Sequence, residues 1–317
     1  MRVFITGATG FAGSHLVDLL VARGHKVLAL VHEATSHQGL PANERVQPIE
    51  GDLLDADGLI KAVALARPDL IFHLAGQAYP ARSWLDPALT IAVNTGGTAN
   101  LLRAAVAYGR PRVVVVTSAE IYGPISAEDL PLTEDTIPNP RHPYGVSKLA
   151  AGELARLYWE RYELPVMEAR PFNHIGPRQA AGFVVPDFAS QLAAIRLGQA
   201  DPLIRVGNLS PERDFTDVRD VAEAYWHLAE RGRPGEAYLI CSGHSISIQY
   251  LLDTLIDLSH VSVEVVTDER RVNPVDVPCL YGSYVKIEKD TNWRPQIPLR
   301  QSLADSLDDW EERLRSD

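Results

Sequence analysis

Tyr144 and Lys148 have the spacing of two side chains that could share one proton-transfer site. Residues four apart lie on the same face of a helix, so the Lys148 ammonium would come close to the Tyr144 phenol. A free tyrosine titrates near ~10, and a neighbouring positive charge lowers that pKa by favouring the phenolate. We therefore expect Lys148 to lower the pKa of Tyr144, and Tyr144 to transfer a proton to or from a substrate oxygen.

Ser118 is a second candidate for this chemistry, because it follows a predicted strand at residues 112–117. That segment is rich in β-branched residues, which is typical of a buried parallel strand. Ligands of open parallel sheets bind at the carboxyl ends of the strands. The pattern therefore predicts that the Ser118 hydroxyl hydrogen-bonds a substrate carbonyl or hydroxyl; the plain alternative is a turn residue.

A glycine-rich loop near the start of the chain predicts a dinucleotide site, since it joins a strand at residues 2–6 to a helix at 14–23. This strand–loop–helix context is the one that the dinucleotide fingerprint requires. Phosphates would meet the helix N-terminus, where free N–H groups and the helix dipole favour anions. The loop residues assigned to cofactor binding are Gly7, Thr9, Gly10, Phe11, Ala12 and Gly13.

The end of the second predicted strand, residues 26–31, bears on the choice of cofactor. An acidic residue there would bind the adenosine ribose and select NAD. The position holds Val31 followed by His32, so the sequence favours NADP(H) over NAD(H), with NAD(H) still possible. His32 is either a contact of the 2′-phosphate or a loop residue without a ligand role.

Two further strand ends are expected to border the cofactor. Asp52, before Leu53, either accepts a hydrogen bond from adenine or caps a helix at residues 54–66, and both could hold. After the fourth strand, at residues 69–73, small residues would let the cofactor pass; this group is Leu74, Ala75 and Gly76.

Asn94 lies inside a helical pattern at about 84–108 although asparagine is a weak helix former. We expect its side chain to contact backbone or water near Lys148.

Composition excludes several classes of protein. The 317 residues carry a net charge of −11 with a pI of about 5.4, which argues against a nucleic-acid or anionic-membrane surface. Cys241 and Cys279 show no pairing pattern, so we expect reduced thiols in a cytoplasmic protein. Neither a signal peptide nor a membrane span is expected. His32 and His37 are five apart and out of phase on a helix, so no metal site is predicted.

Strand and helix patterns alternate from residue 1 to residue 170, which predicts a doubly wound parallel α/β sheet. At the other end of the chain, residues 299–314 form an amphipathic pattern with apolar residues at helical spacing. We expect that helix to pack on a smaller lobe.

Together these motifs resemble the extended short-chain dehydrogenase/reductase superfamily over essentially the whole chain. The resemblance rests on the loop glycines, Asp52-Leu53, Leu74–Gly76, Asn94, Ser118, Tyr144 with Lys148, and Arg170-Pro171, in that order. It implies a Rossmann-type cofactor domain at residues 1–170 and a smaller C-terminal α/β substrate lobe at 171–317. Residues 210–245, approximately, would return to the first domain. It also implies a homodimer through the helices carrying Asn94 and Tyr144, and Phe172 as a further cofactor contact.

The second half is similar to the branch of that superfamily that acts on GDP-linked sugars, through residues 170–177, 206–209 and 213–220. Arginine can grip phosphate with two parallel hydrogen bonds, which suits a diphosphate-linked substrate. The aspartates beside Arg213 and Arg219 could instead form only a structural ion-pair network. A family arginine is replaced by Asn273, and Arg271 is the candidate substitute. The substrate candidates are Asn173, Arg178, Val184, Asn208, Arg213 and Arg271.

The resemblance implies NAD(P)H-dependent reduction of the C4 ketone of a GDP-4-keto-6-deoxyhexose, with Tyr144 donating the proton. Lys148 would hold the nicotinamide ribose, and Ser118 would stabilise the developing charge. Glu120 lies where the related GDP-mannose 4,6-dehydratases have a catalytic acid/base, so a dehydratase stays an alternative. A nucleotide-sugar 4-epimerase is a third possibility. A non-enzymatic NADP sensor is disfavoured, because the chain keeps both Tyr144 and Lys148.

Overall fold

The computed structural model describes residues 1–32, 39–271 and 277–316. Most of the first half, with a later return of the chain, forms a seven-stranded sheet in which every neighbouring pair is parallel. From edge to edge its strands are β11 (Ala237–Ile240), β6 (Val166–Pro171), β5 (Arg112–Val116), β4 (Leu70–His73), β1 (Arg2–Thr6), β2 (Lys26–Val31) and β3 (Val46–Glu50). The predicted doubly wound Rossmann-type sheet is confirmed.

Helices cover both faces of this sheet, which explains why its central strands are apolar throughout. One face packs against α1 (Phe11–Ala22), α8 (Val218–Arg231) and α10 (Val285–Thr291). The other face packs against α2 (Ala56–Ala66), α5 (Gly97–Tyr108) and α6 (Pro143–Tyr162). Side chains such as Phe4 and Phe72 are fully buried between the layers. Parallel strands in such a sandwich bring their carboxyl ends to one edge, where a site can form.

The smaller lobe is built from short strands and three helices. Its helices are α7 (Val184–Arg196), α9 (Ile248–Ser259) and α11 (Leu299–Ser316). Its strands are β7 (Asn173–Ile175), β8 (Leu203–Val206), β9 (Glu212–Arg213), β10 (Phe215–Asp217), β12 (Ile246–Ser247), β13 (Glu264–Thr267) and β14 (Cys279–Leu280). The predicted C-terminal helix is confirmed: Leu303 and Leu307 are buried in the lobe's own core.

The chain passes back to the main sheet between the two halves of this lobe. Helix α8 packs against α1, and β11 then pairs with β6 at the edge of the sheet. Trp293, which follows α10, stabilises the position of α8, because its indole N–H donates to the backbone carbonyl of Asp220 at 2.9 Å. The two lobes are therefore interleaved in sequence.

The helix predicted at about 84–108 is wrong as a single element. The structure has α3 (Pro80–Leu85), α4 (Pro87–Ile91), a π-helical turn at Ala92–Gly96, and then α5. Asp86 and Pro87 explain the break, since Asp86 caps α4 by accepting from the Leu89 N–H at 2.9 Å and proline cannot continue the preceding helix. The π-turn contains Asn94, the residue whose helix propensity was poor.

The other bounds differ by a few residues at most. Strands β1 and β2 have the predicted limits. Helix α2 begins at Ala56, because Asp55 is its cap and accepts from the Gly58 N–H at 2.9 Å. Asp52 instead accepts from the Leu54 N–H in the preceding turn. Short 3₁₀ turns lie at Ala119–Ile121, Ala127–Asp129 and Glu269–Arg271. Within the described residues, no helix is both long and apolar enough to cross a membrane.

The close packing of the first loop on α1 gives a test of the fold. A Cβ on Gly13 would lie 2.0 Å from the Gly7 carbonyl oxygen, so the loop must move in Gly13→Ala. We expect a loss of about 1–3 kcal/mol in the free energy of unfolding, measured by chemical denaturation. Gly96→Ala is the control: its φ is −63° and its Cβ meets nothing within 4 Å. Wild-type stability in Gly13→Ala would refute this account of the loop.

Candidate active site

Ser118, Tyr144 and Lys148 come together at the carboxyl end of β5. Ser118 follows that strand and hydrogen-bonds the Tyr144 side chain, and both are nearly buried, at 8% and 7% exposed. Lys148, one helical turn from Tyr144, donates from Nζ to the carbonyl of Val116 at 2.9 Å. Its Nζ lies 5.9 Å from the centre of the Tyr144 ring. The three side chains predicted to share a site therefore do so.

The predicted effect of Lys148 on Tyr144 is wrong in this structure. Burial raises the pKa of Tyr144 to about 12; the Ser118 hydrogen bond lowers it and the Glu120 charge raises it further. The physical reason is that the phenol is desolvated, while the ammonium is turned towards the Val116 carbonyl. Burial also lowers the pKa of Lys148 to about 8. At neutral pH Tyr144 is thus a protonated phenol, in the state of a proton donor.

The Asn94 side chain hydrogen-bonds both the loop after β4 and helix α6. Its Oδ1 accepts from the Gln77 N–H at 2.8 Å. Its Nδ2 donates to the Gln77 carbonyl at 3.1 Å and to Ser147 Oγ at 2.9 Å. The Ser147 hydroxyl in turn donates to the Tyr144 carbonyl at 2.7 Å. Asn94 therefore positions the loop after β4 against α6, and the expected contact of its side chain with the backbone is confirmed.

A buried chain of hydrogen bonds extends from Asn94 to the first strand. The Thr98 hydroxyl donates to the Asn94 carbonyl at 2.6 Å, so His73 Nε2 donates to Thr98, at 2.9 Å. His73 Nδ1 then accepts from the Thr6 hydroxyl at 2.7 Å, and Thr6 accepts from the Ala75 N–H at 3.2 Å. Burial, and secondarily the Lys148 charge, lower the pKa of His73 to about 3, which keeps it neutral. Sequence analysis missed His73; its only signal was a polar residue ending an apolar strand.

The glycine loop fits a dinucleotide phosphate. Gly7 has a φ of +75°, and a Cβ there would lie 2.7 Å from the Ala75 nitrogen. Gly10 caps α1 without a side-chain hydrogen bond, and the first turn of α1 carries no acidic residue. Its N-terminal N–H groups can therefore face an anion. Thr9 is exposed, whereas Phe11 and Ala12 are partly buried, and the Phe11 ring stacks on His174 with centroids 5.6 Å apart.

The remaining cofactor candidates fall into two groups. His32 and Asp52 lie side by side at the ends of β2 and β3, with His32 Nε2 3.5 Å from Asp52 Oδ2. Leu53 is buried against α5. Leu74 and Ala75 are partly buried, and Gly76 is exposed beside Asn94 and Lys148: a Cβ on Gly76 would lie 3.7 Å from Lys148 Nζ. His37, the partner in the rejected metal pattern, lies outside the described residues. No metal-binding cluster occurs among the residues that the structure does describe.

Glu120 lies beside the site, held by a residue that sequence analysis missed. Its Oε2 accepts from His142 Nε2 at 2.9 Å, and His142 Nδ1 accepts from the Gly145 N–H at 2.9 Å. His142 is the N-cap of α6 and its ring stacks on Tyr144. The signal in the sequence was the position of His142 directly before Pro143, since proline favours the first helical position.

The substrate candidates do not form one cluster. Arg178 makes an ion pair with Asp18 at 2.8 Å and donates to His15 Nδ1 at 2.7 Å, both on α1. Phe172, a cofactor candidate, is buried against Cys241 and Leu280. Arg178 and Phe172 therefore both make contacts within the protein. Their residue types alone did not indicate these contacts.

The other substrate candidates lie in the smaller lobe. Asn173 is partly buried at the start of β7, and Val184 begins α7 against the lobe's core. Asn208 Oδ1 accepts from the Ser210 N–H at 3.1 Å. Arg213, on β9, donates to the Glu212 carbonyl at 2.8 Å. The Arg271 side chain lies outside the described residues.

The aspartates near Arg213 and Arg219 act structurally. Arg219 bridges Asp217 and Asp305 at 2.7 and 2.6 Å. Asp214 is buried and accepts from the N–H groups of Ser242 and Gly243 at 2.6 and 3.0 Å. Arg219 therefore forms ion pairs of the kind predicted as an alternative to substrate binding.

The parallel sheet, the glycine loop and the Ser118–Tyr144–Lys148 cluster define an extended short-chain dehydrogenase/reductase. The GDP-mannose 4,6 dehydratase family profile matches residues 4–306, and the chain belongs to this family. The GDP-6-deoxy-D-mannose reductase of Pseudomonas aeruginosa is 39% identical, over 100% of this chain and 99% of that protein.

Solved structures agree with this assignment. The structure of RMD from Pseudomonas aeruginosa complexed with NADPH has a TM-score of 0.87 at 36% identity, covering 99% of this chain and 100% of that one. The UDP-glucose 4-epimerase of Thermotoga maritima with UDP-glucose has a TM-score of 0.90 at 26% identity, covering 99% and 100%. The predicted superfamily is confirmed.

The site predicts a specific effect of removing one hydroxyl. Tyr144→Phe should lower kcat by about 10²–10⁴-fold, because the proton donor is lost while the buried ring is kept. Turnover is followed as loss of reduced nicotinamide absorbance, with thermal unfolding as a check on the fold. Tyr158→Phe, on the same helix, is the matched control and should keep wild-type turnover. Near wild-type activity in Tyr144→Phe would remove Tyr144 from the chemistry.

Proposed function

We propose that this chain reduces the C4 ketone of a GDP-linked 4-keto-6-deoxyhexose, as a GDP-4-dehydro-6-deoxy-D-mannose reductase that yields GDP-D-rhamnose. The observation that carries the proposal is the buried Tyr144 phenol, hydrogen-bonded to Ser118 at the carboxyl end of β5, with Lys148 one helical turn away. Ketone reduction needs a proton donor at this position. The full-length likeness to a GDP-6-deoxy-D-mannose reductase supplies the substrate class.

The residues act on the ketone oxygen in a simple order. A bound reduced nicotinamide would supply the hydride that C4 receives. The Tyr144 hydroxyl gives its proton to the alkoxide that forms, and Ser118 hydrogen-bonds the same oxygen as its charge develops. The Lys148 ammonium, close to Gly76 at the end of β4, is placed to hold the ribose hydroxyls of the cofactor.

We infer that the cofactor is NADP(H), with NAD(H) possible. No carboxylate ends β2, where Val31 and His32 stand, so a 2′-phosphate meets no acidic residue on that strand. The neighbouring Asp52 disfavours a 2′-phosphate at this position, because its carboxylate Oδ2 lies 3.5 Å from His32 Nε2 and would repel the phosphate. The NADPH complex of the Pseudomonas aeruginosa relative supports NADP(H).

The sheet domain, residues 1–170 with the return at about 210–245, is in this proposal the cofactor domain. The smaller lobe is the substrate domain, with Asn173, Val184, Asn208 and Arg213 as its candidate contacts. Arg271 stays a candidate from its sequence position alone. Two unpaired thiols, Cys241 and Cys279, support the cytoplasm as the compartment.

A dehydratase is the second candidate, because the Glu120 carboxylate lies beside Tyr144. Dehydration and epimerisation both begin by oxidising the C4 hydroxyl, which needs Tyr144 as a base. The chain is 39% identical to a GDP-6-deoxy-D-mannose reductase and 28% identical to the GDP-mannose 4,6-dehydratase of Yersinia enterocolitica, and this difference supports the reductase.

Two reactions run side by side separate these functions. We expect GDP-4-keto-6-deoxymannose to consume reduced nicotinamide, faster with NADPH than with NADH, and GDP-mannose alone to give no keto product. Formation of the keto product from GDP-mannose would instead establish a dehydratase. If neither reaction gives product, the GDP-sugar assignment is wrong, and UDP- and dTDP-sugars should be tested for epimerisation.

We also propose a homodimer through the helices around Asn94 and Tyr144. Apolar side chains stand exposed there: Leu85 at 86%, Leu89 at 50%, Val146 at 46% and Leu157 at 47%. Such a patch is typical of an association surface. We expect light scattering to give a dimer in wild type and a monomer in Leu89→Glu/Leu157→Glu. Leu65→Glu, 70% exposed on α2, is the control that should stay dimeric. A monomeric wild type would contradict the proposal.

A further inference from the structure

The His142 imidazole contacts three parts of the site at once. Its Nδ1 accepts from the Gly145 N–H in the first turn of α6, at 2.9 Å. Its Nε2 lies 2.9 Å from Glu120 Oε2, in the turn that follows Ser118. Its ring stacks on Tyr144 with centroids 5.9 Å apart and planes at 26°. One side chain thus joins the helix start, the carboxylate and the proton donor.

These contacts define which nitrogen of a neutral His142 carries hydrogen. A backbone N–H can only donate, so Nδ1 must present its lone pair to Gly145. The ring hydrogen is then on Nε2 and is donated to the Glu120 carboxylate. Capping and the carboxylate contact therefore require the same tautomer and support each other.

Close packing keeps the two segments in register. A Cβ on Gly145 would lie 2.7 Å from the Glu120 carbonyl oxygen and 3.3 Å from His142 Cε1. The turn after β5 therefore lies directly on the start of α6. The His142 side chain is 16% exposed and that of Glu120 is 40% exposed. Without the imidazole, little would keep this half-exposed carboxylate from turning to solvent.

Given the proposed reduction, we propose that His142 is a positioning residue: it holds the Glu120 carboxylate beside Tyr144 and sets the helix turn from which Tyr144 projects. Because the imidazole stacks on the Tyr144 ring and anchors the turn that follows Ser118, its loss would let both hydroxyl-bearing residues shift. His142 acts through these two neighbours and is not itself assigned a proton transfer.

Two substitutions separate the contacts. In His142→Asn the side chain can still cap α6, since asparagine is a preferred N-cap, but it is too short for Glu120. In His142→Gln the amide can reach the position of Nε2, but the cap is lost. We expect His142→Asn to lower kcat about 10-fold with KM within twofold and Tm unchanged. His142→Gln should recover part of kcat and lose about 2 °C in Tm.

A double substitution tests whether His142 acts through Glu120. Glu120→Ala, which removes the acceptor of the His142 Nε2–H, should lower kcat about as much as His142→Asn, and the pair together should lose no more than either alone. His260→Asn, an exposed histidine at the end of α9, should leave kcat unchanged. Wild-type kcat in His142→Asn, additive losses in the pair, or lower kcat in His142→Gln than in His142→Asn would each overturn the proposal.

A readout independent of turnover keeps this proposal separate from the proposed function. NMR of ¹⁵N-histidine-labelled wild type should show His142 protonated at Nε2 alone, with its signals assigned by their loss in His142→Asn. If the wild-type protein fails to reduce the keto sugar, the proposed function is wrong. The tautomer of His142 still tests the proposed positioning role, because the NMR measurement does not depend on turnover. A Nδ1-protonated or mixed imidazole would reject it.

Discussion

The Asn94 amide joins the loop after β4 to the helix that carries Tyr144 and Lys148. Its oxygen and both of its amide hydrogens are used, and the side chain is almost completely buried. A buried polar group that loses its partners costs about 1–3 kcal/mol, so this connection strongly disfavours other arrangements of the two segments. The position of Gly76, past which the cofactor is proposed to run, and the position of Tyr144 both depend on this connection.

The chain of hydrogen bonds behind Asn94 runs in one direction, from the Ala75 N–H through Thr6, His73 and Thr98 to the Asn94 carbonyl. Each hydroxyl accepts from one side and donates to the other, which only a neutral His73 permits. The end of β1, the end of β4 and the π-turn are therefore held in fixed positions relative to each other by one network. Such fully satisfied buried networks rigidify the groups they connect.

The sequence alone was sufficient for the sheet, the glycine loop and the cluster of Ser118, Tyr144 and Lys148. Those features depend on short-range spacing and on the rule that parallel strands end at one edge. The sign of the Tyr144 pKa shift could not be foreseen, because burial is a tertiary property that outweighs a neighbouring charge. The contacts of His142 with Glu120 and of Arg178 with His15 and Asp18 were missed for the same reason: the partners are 22 and 160 or more residues away in sequence.

The π-turn at Ala92–Gly96 has a consequence for insertions and deletions. A π-turn contains one residue more than the α-helical turn it replaces. Removing one residue in the regular part of α5 would rotate everything before it by about 100°. The wide turn, by contrast, can lose one residue and close to an ordinary α-helical turn with its two flanks in nearly the same rotational phase. A single-residue deletion can therefore be absorbed at this segment, and its cost would fall on the Asn94 side chain, which would lose its position against Gln77 and Ser147.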